Sequence, residues 1–138
     1  MSDPVADAKR VVETYLELSM IPDPEGAARH VATDFRLVFT GGRLFRSPAE
    51  AAAFNAARYA RVAKRFLRTD AALDPESGDV IVYQTGYLVG EWRDGEAFET
   101  NRYIDRFVVR DGLIAQADVW NDSAEILLAK AGLAEAPL

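Results

Sequence analysis

Three side chains in this sequence are of types that move protons or stabilise charge: Asp105, Tyr15 and His30. Asp105 lies in a run rich in β-branched and aromatic residues, which predicts a strand. A carboxyl group on an apolar strand face is desolvated, and it can then stay protonated and donate a hydrogen bond, or serve as an acid or base. The alternative is that Asp105 pairs with an arginine such as Arg58 or Arg102 and only orders the sheet.

Tyr15 and His30 each have a structural interpretation beside the chemical one. Tyr15 recurs at helical spacing with apolar residues, so it could be a core aromatic residue with a satisfied hydroxyl. His30 shares a predicted helix stripe with Ala27 and Val31. Histidine exchanges protons readily near neutral pH. A histidine at a helix end can instead have a purely structural role, in which it forms hydrogen bonds to the backbone. Each of the two residues could therefore have a catalytic role or a purely structural one.

The composition excludes several kinds of chemistry. The 138 residues include no cysteine, which excludes disulfides, thiolate zinc and a cysteine nucleophile. The single histidine excludes a metal site built on several histidines of one chain, and we expect no metal and no cofactor. A net charge of −6 makes nucleic acid and anionic membranes unexpected partners. With no membrane-length apolar run and no recognisable secretory signal, we expect a cytoplasmic protein.

The predicted elements are helices followed by strands, within a single domain over residues 1–138. Apolar spacing and N-capping residues predict helices at about residues 5–21, 24–32 and 48–65. β-Branched runs and turn residues predict strands at about 35–40, 43–46, 66–73, 80–92, 98–109 and 113–120. This order indicates an α+β fold with helices on one face of a curved sheet. Such a sheet leaves a pocket between itself and the helices.

Two segments add a family resemblance to this order of elements. The first helix contains Val11-Val12-Glu13-Thr14-Tyr15, and a tight hairpin at Asp111-Gly112 is followed by Val119-Trp120-Asn121-Asp122. Over residues 5–130 the chain resembles the nuclear transport factor 2-like superfamily, most closely its SnoaL-like branch. The resemblance implies a cone-shaped fold, with three N-terminal helices on a curved, mainly antiparallel sheet that encloses a pocket. The fold hosts isomerases, dehydratases, cyclases and binding proteins, so it does not fix the chemistry.

Ketosteroid isomerases share this fold and suggest roles for two residues. Their oxyanion hole pairs a first-helix tyrosine with a protonated aspartic acid on a late strand. Tyr15 lies in a segment similar to the first, and Ile104-Asp105-Arg106-Phe107 is similar to the second. The resemblance therefore implies that Tyr15 and Asp105 hold an oxygen atom of the ligand. Phe39 falls where those enzymes place their general base, so their isomerase chemistry is not expected here.

Strand alternation predicts the lining of the pocket. Inward-facing Asp105 implies inward-facing Asn101 and Tyr103, and the neighbouring strand is expected to present Tyr83, Thr85 and Tyr87. The predicted ligand-binding residues are Phe39, Asn55, Tyr59, Tyr87, Asn101, Tyr103, Val119 and Asn121. Apolar walls with a few polar groups suit a small, mostly apolar ligand that is oriented by hydrogen bonds.

The side chains on the opposite face of the predicted sheet indicate a protein partner. Alternation places Trp92, Arg102, Arg106 and Trp120 on that face, together with apolar side chains. A monomer seldom exposes such a surface. We therefore expect a homodimer in which two sheets pack through this face.

A basic stripe at helical spacing consists of Arg58, Arg61, Lys64, Arg65 and Arg68. One interpretation is an anion-binding or nucleic-acid-binding surface. Since the chain is acidic overall and the helix dipole favours cations at a helix C-terminus, we interpret the stripe as a solvated face of the third helix.

These observations predict a SnoaL-like protein that binds a small, mostly apolar, carbonyl- or ring-containing molecule. If it is an enzyme, we expect cofactor-independent isomerase, cyclase or dehydratase chemistry that uses Asp105 and Tyr15. The alternative is a non-catalytic ligand-binding or protein-interaction module. An interaction module would have its pocket filled by side chains.

Overall fold

The computed structural model describes residues 3–136, which form four helices, a 3-10 turn and six strands. The helices are α1 (Pro4–Met20), α2 (Pro24–Ala28), α3 (Pro48–Arg58) and α4 (Ser123–Lys130). The strands are β1 (Val31–Val38), β2 (Leu44–Phe45), β3 (Tyr59–Leu73), β4 (Val80–Trp92), β5 (Ala97–Arg110) and β6 (Leu113–Asn121). None of the helices within this part of the chain is long and apolar enough to cross a membrane.

The first three helices begin where short polar side chains precede proline. The carboxylate of Asp3 accepts a hydrogen bond from the backbone N–H of Val5 at 3.0 Å. Asp23 accepts one from Gly26 at 3.0 Å, and the Ser47 hydroxyl accepts one from the Glu50 N–H at 3.3 Å. Each cap satisfies a donor that the first helical turn leaves free, and proline suits the next position because it has no N–H. The predicted starts of α2 and α3 are confirmed.

All six strands form one sheet in the order β2-β1-β6-β5-β4-β3. Only the pair of β1 with β6 is parallel, and the other neighbours are antiparallel. α1 packs against β3, β4 and β6, and α2 and α3 pack beside it. The predicted α+β class, with helices covering a curved and mainly antiparallel sheet, is confirmed.

Two apolar clusters hold the helices to the sheet. The larger joins α1 to the sheet through Val12, Tyr15 and Leu16, which pack with Phe35 and Phe107. The smaller lies towards the other end of the sheet, and its buried members are Tyr59, Leu88, Trp92, Phe98 and Tyr103. α4 covers this second cluster with two partly buried side chains, Ile126 and Leu127. A cavity remains between the two clusters.

The predicted third helix is too long. It ends at Arg58, and Tyr59 already has extended backbone angles and begins β3. Apart from Arg58, which ends α3, the basic stripe is therefore on a strand. Register shifts between Tyr59 and Arg61, and between Phe66 and Arg68, each place one extra residue in β3. Extra residues convert the even spacing of a strand into steps of three, which imitate a helical repeat.

The predicted facing of β4 is wrong. Gln84 lies directly opposite Asp105 in the β4–β5 pairing, so it shares the inner face with Asp105, and Tyr83 is exposed. A register displaced by one residue moves every side chain of a strand to the other face. The same reversal buries Trp92, which is 3% exposed, within the second cluster.

Two glycines of β4 lie where β3 approaches closely. A Cβ atom at Gly86 would lie 2.1 Å from the carbonyl oxygen of Arg65 on β3, and one at Gly90 would lie 2.0 Å from that of Arg61. The β4–β5 register shifts beside Gly90. Strands β3 and β4 can approach each other this closely only because Gly86 and Gly90 carry no side chain.

The second helix and first strand also differ from expectation. α2 ends at Ala28 instead of continuing to about residue 32, and β1 begins at Val31. The hydrogen bond from the Ile114 N–H to the His30 carbonyl, 2.8 Å long, joins the chain to the start of β6. This pairing with a strand distant in sequence overrides the local helical pattern.

Candidate functional site

A cavity lies between α1, α3 and the inner face of the sheet. Inside it, the centre of a water-sized sphere can move through a volume of about 90 Å³. Most of the walls are apolar, from residues such as Leu37, Phe39 and Phe107. The polar side chains that line it are those of Tyr15, Ser19, Asn55, Tyr59, Lys64, Asp105 and Asn121. The cavity is therefore mostly apolar with a minority of polar groups, as the sequence predicts, and it also contains one cationic side chain, that of Lys64.

The charged groups of the cavity form a buried pair. Nζ of Lys64 lies 2.5 Å from Oδ2 of Asp105, and the two side chains are 15% and 1% exposed. The same Nζ lies 3.9 Å from the ring centroid of Tyr103, a distance at which a cation is attracted to the aromatic face. Oδ1 of Asp105 has no hydrogen-bond partner among residues 3–136. The carboxyl group thus has one paired and one unpaired oxygen, both in the interior.

Burial controls the protonation of Asp105. Desolvation raises the pKa of this carboxyl group above its ordinary value, and the charge of Lys64 and its hydrogen bond oppose the rise. Because desolvation is the largest of these causes, Asp105 keeps its proton to higher pH than an exposed aspartic acid does.

Tyr15 contributes a protonated hydroxyl to the same cavity. Its ring is held by edge contacts with Phe35 and Phe107, with centroids 6.2 and 6.0 Å away. Desolvation raises the pKa of Tyr15, a contact with Ser19 lowers it, and the negative charge of Asp105 raises it. The net direction is upward, so the hydroxyl remains a hydrogen-bond donor across the neutral range.

Five predicted ligand-binding residues line the cavity: Phe39, Asn55, Tyr59, Val119 and Asn121. The Tyr59 hydroxyl already lies 2.7 Å from Oγ of Ser123. Asn55 is on α3 and Asn121 ends β6, so their amides lie on different walls. The roles of these residues remain predictions.

Asn101 and Tyr103 are buried but do not line the cavity within the part of the chain that the structure describes. Nδ2 of Asn101 donates to Oγ of Ser123 at 2.8 Å, and the Tyr103 hydroxyl donates to Oε1 of Gln84. Both side chains therefore support the cavity wall. Tyr103 does so directly, since its ring lies under the ammonium group of Lys64.

Tyr87 and His30 lie away from the cavity. Tyr87 is on the outer face because the facing of β4 is reversed, and the Arg65 guanidinium lies 4.9 Å from its ring centroid. His30 follows α2, where its backbone N–H donates to the Ala27 carbonyl at 3.1 Å. It is not among the cavity-lining residues of the described chain. The predicted cavity position of Tyr87 is wrong, and the role of His30 remains a prediction.

Lys64 is a site residue that was not predicted. The predicted solvated helix face is wrong for this lysine, because Lys64 pairs with Leu88 on the inner side of the sheet. The residues Val62, Lys64 and Phe66 alternate with the exposed Arg61 and Arg65. That alternation is the sequence signal for a Lys64 side chain that points into the interior.

The outer face of the sheet differs in part from the predicted one. It carries Arg102, Ile104 and Trp120, which is 53% exposed, and Leu67 is exposed beside them. Trp92 does not belong to it. Arg102 pairs with Asp122 at 2.6 Å, and Arg106 lies 3.9 Å from Asp118.

No group of three His, Cys, Asp or Glu side chains among residues 3–136 could hold a metal ion.

No protein-family model and no curated protein matches this sequence. Solved structures match nearly all of it. A candidate SnoaL-like polyketide cyclase from Jannaschia has a TM-score of 0.72 at 15% identity, covering 99% of this chain and 98% of that one. A protein with a ketosteroid isomerase-like fold from Catenulispora acidiphila, in complex with trimethylamine, has a TM-score of 0.72 at 16% identity, covering 89% and 92%. TerC, co-crystallised with polyporic acid, has a TM-score of 0.70 at 12% identity, covering 88% and 95%.

These comparisons and the topology define the fold. The chain has the nuclear transport factor 2-like fold. Within that fold, its structural neighbours include SnoaL-like polyketide cyclases and ketosteroid isomerase-like proteins.

Proposed function

We propose that the cavity binds a small, mostly apolar molecule through a carbonyl oxygen, which Asp105 and Tyr15 hold by hydrogen bonds. One observation carries the proposal: Oδ1 of Asp105 is buried at the cavity wall without a partner in residues 3–136. A buried polar atom left unpaired costs free energy, so a ligand that pairs with it gains that amount on binding. Polarisation of the carbonyl by these two donors would serve isomerase, cyclase or dehydratase chemistry.

The size of the cavity limits the ligand. Since one water needs roughly 10–15 Å³ of such room, the cavity offers space for only a few waters or one compact organic molecule. A single ring with one oxygen substituent fits this description. Polyporic acid and trimethylamine, which were crystallised with two of the structural neighbours, support small-molecule binding in this fold.

The proton chemistry falls to Asp105 and Lys64. Phe39 packs against Phe45 and Phe54, with centroids 5.5 and 5.3 Å away, and forms an apolar wall where ketosteroid isomerases have a base. A hydrogen atom next to the bound carbonyl would therefore have to be removed by the Lys64–Asp105 pair. The two groups can exchange one proton without burying a net charge.

The binding test compares a ketone with its hydrocarbon. We expect cyclohexanone to bind more tightly than cyclohexane in saturation-transfer NMR, and Asp105→Asn and Tyr15→Phe each to weaken cyclohexanone binding by roughly tenfold, the loss of one buried hydrogen bond. Asp70→Asn and Tyr83→Phe change the same residue types at exposed positions and should leave binding unchanged. Equal affinity for both compounds, or no effect of the two cavity substitutions, would contradict the proposal.

A binding role without turnover is the second candidate. It is favoured by the ion pair itself, which gives Asp105 a partner before any ligand arrives. Hydrogen–deuterium exchange separates the two candidates. An acid–base enzyme will exchange the hydrogens beside the cyclohexanone carbonyl for deuterium in heavy water, and Asp105→Asn will abolish the acceleration. A binding module will leave the exchange at its uncatalysed rate.

We also propose that a second copy of this chain covers the outer face of the sheet. Ile104 and Trp120 expose apolar surface there, next to side chains of both charges such as Arg102 and Asp122. A two-fold axis across this face would pack the patch against the same apolar and charged side chains of the other copy. We expect light scattering to report a dimer, and Trp120→Arg to convert it to a monomer. Leu133→Arg, at an even more exposed apolar position outside this face, is the control. A monomer at all concentrations would refute the dimer.

A further inference from the structure

Lys64 stands apart from the other lysines of the chain. The sequence has three, Lys9, Lys64 and Lys130, and among residues 3–136 only Lys64 lines the cavity. Lys130 pairs with Asp94 and Glu96 near the surface, at 3.0 and 2.5 Å. Lys64 is thus the one side-chain amine that can meet a molecule inside the cavity.

Asp105 is the hydrogen-bond partner of this amine. Nζ of Lys64 donates to Oδ2 of Asp105, so transfer of that one proton gives a neutral amine and a neutral carboxylic acid. Burying two neutral groups avoids the desolvation cost of burying two charges, and Asp105 is fully buried. A neutral lysine amine in an apolar pocket is a nucleophile towards carbonyl groups.

We propose that Lys64 forms an imine with the carbonyl carbon of a small aldehyde or ketone in the cavity, and that Asp105 acts as its acid. The inference rests on the proposed function, because it uses the same carbonyl ligand. The Lys64 nitrogen lone pair forms the C–N bond, and the carbonyl oxygen takes the Asp105 proton. One amine proton returns to Asp105, which then protonates the hydroxyl. Water leaves as the C–O bond breaks, and the products are a protonated imine and the Asp105 carboxylate.

The surroundings of Lys64 suit the product of this reaction. The protonated imine carries the positive charge that the ammonium group carries in the ion pair, and it would remain beside the Asp105 carboxylate. The face of the Tyr103 ring lies below it and attracts a cation. The Tyr103 hydroxyl is fixed by its hydrogen bond to Gln84, so the ring is held in place for this contact.

Reductive trapping tests the inference. The protein is incubated with benzaldehyde and sodium cyanoborohydride, which reduces an imine to a stable amine, and peptide mass mapping locates the added benzyl group. We expect the adduct at Lys64 to form at least tenfold faster than at Lys9 or Lys130, which are internal references. Lys64→Arg keeps the positive charge but cannot form an imine, so it should lose this adduct and retain the slower ones.

A parallel binding measurement separates this inference from the proposed function. Benzyl alcohol has the same ring and an oxygen atom but no carbonyl, so it reports binding in the cavity without reaction. If it binds and Lys64 labels no faster than the reference lysines, the imine is wrong and the cavity proposal stands. If it does not bind and no cavity adduct forms, both are overturned. Labelling in the unsubstituted protein decides the result even if Lys64→Arg fails to fold.

Discussion

Replacement of Lys64 by methionine tests the electrostatics of the site most directly. The substitution keeps an unbranched side chain of similar length and removes the ammonium group. Asp105 then has two unpartnered carboxylate oxygens in a cavity wall where it is 1% exposed. The stability of the protein should fall, because the interior holds a charge that neither water nor a cation compensates.

The structure sets the size of the effect. Removal of one member of a buried ion pair costs about 3–5 kcal/mol, and the partial exposure of Lys64, 15%, favours the lower end of that range. For a chain of this length each kcal/mol lowers Tm by about 4 °C, so we expect a decrease of about 12 °C at neutral pH. In the double variant Lys64→Met with Asp105→Leu, the cavity wall is apolar, and most of the lost stability should return.

The effect should depend on pH with a definite sign. The folded-state pKa of Asp105 lies above the ordinary value that this group has in the unfolded chain, and both influences that lower it come from Lys64. Without Lys64 this pKa rises further. A raised acid pKa stabilises the fold fully below the unfolded pKa, and this contribution is lost as the pH rises through the folded pKa. The deficit of Lys64→Met should therefore be small at about pH 4 and large at about pH 7.

Urea unfolding at both pH values, followed by circular dichroism, measures these differences. Arg68→Met is the matched control, since it breaks the exposed Arg68–Asp70 pair on the same strand, and we expect less than about 1 kcal/mol at either pH. The reasoning is refuted if Lys64→Met is as stable as the parent protein at neutral pH. It is also refuted if the deficit is the same at both pH values.

Two further predictions concern the elements that support the cavity. Ser123→Ala should cost about 1–3 kcal/mol in thermal unfolding, because buried Ser123 bridges the Tyr59 hydroxyl and the Asn101 amide at 2.7 and 2.8 Å; an unchanged Tm would show that the bridge contributes nothing. Gly86→Ala should prevent stable folding, since its Cβ would lie 2.1 Å from a β3 carbonyl oxygen. Gly95→Ala, at a positive-φ turn with open space, should cost only about 1–2 kcal/mol, and equal losses at the two glycines would contradict the argument.

Local signals in the sequence predict much of this fold. Asp3, Asp23 and Ser47 precede proline and cap the helices that follow, and these caps need only residues two or three positions away. Strand β5 is similarly clear, because its alternation puts Asp105 and Phe107 on one buried face. The cavity positions of Tyr15 on α1 and Asp105 on β5 come from the family resemblance, and both residues line the cavity.

The sequence by itself determines the order of the elements and an acidic group facing an apolar interior. Only the tertiary structure decides which groups meet that acid. Gln84 lies opposite Asp105 because the β4–β5 hairpin sets the register, and Lys64 points inward because bulges in β3 shift its alternation. Register and bulges follow from pairing between strands that are distant in sequence, so the alternation within one strand does not show which of its faces meets the interior.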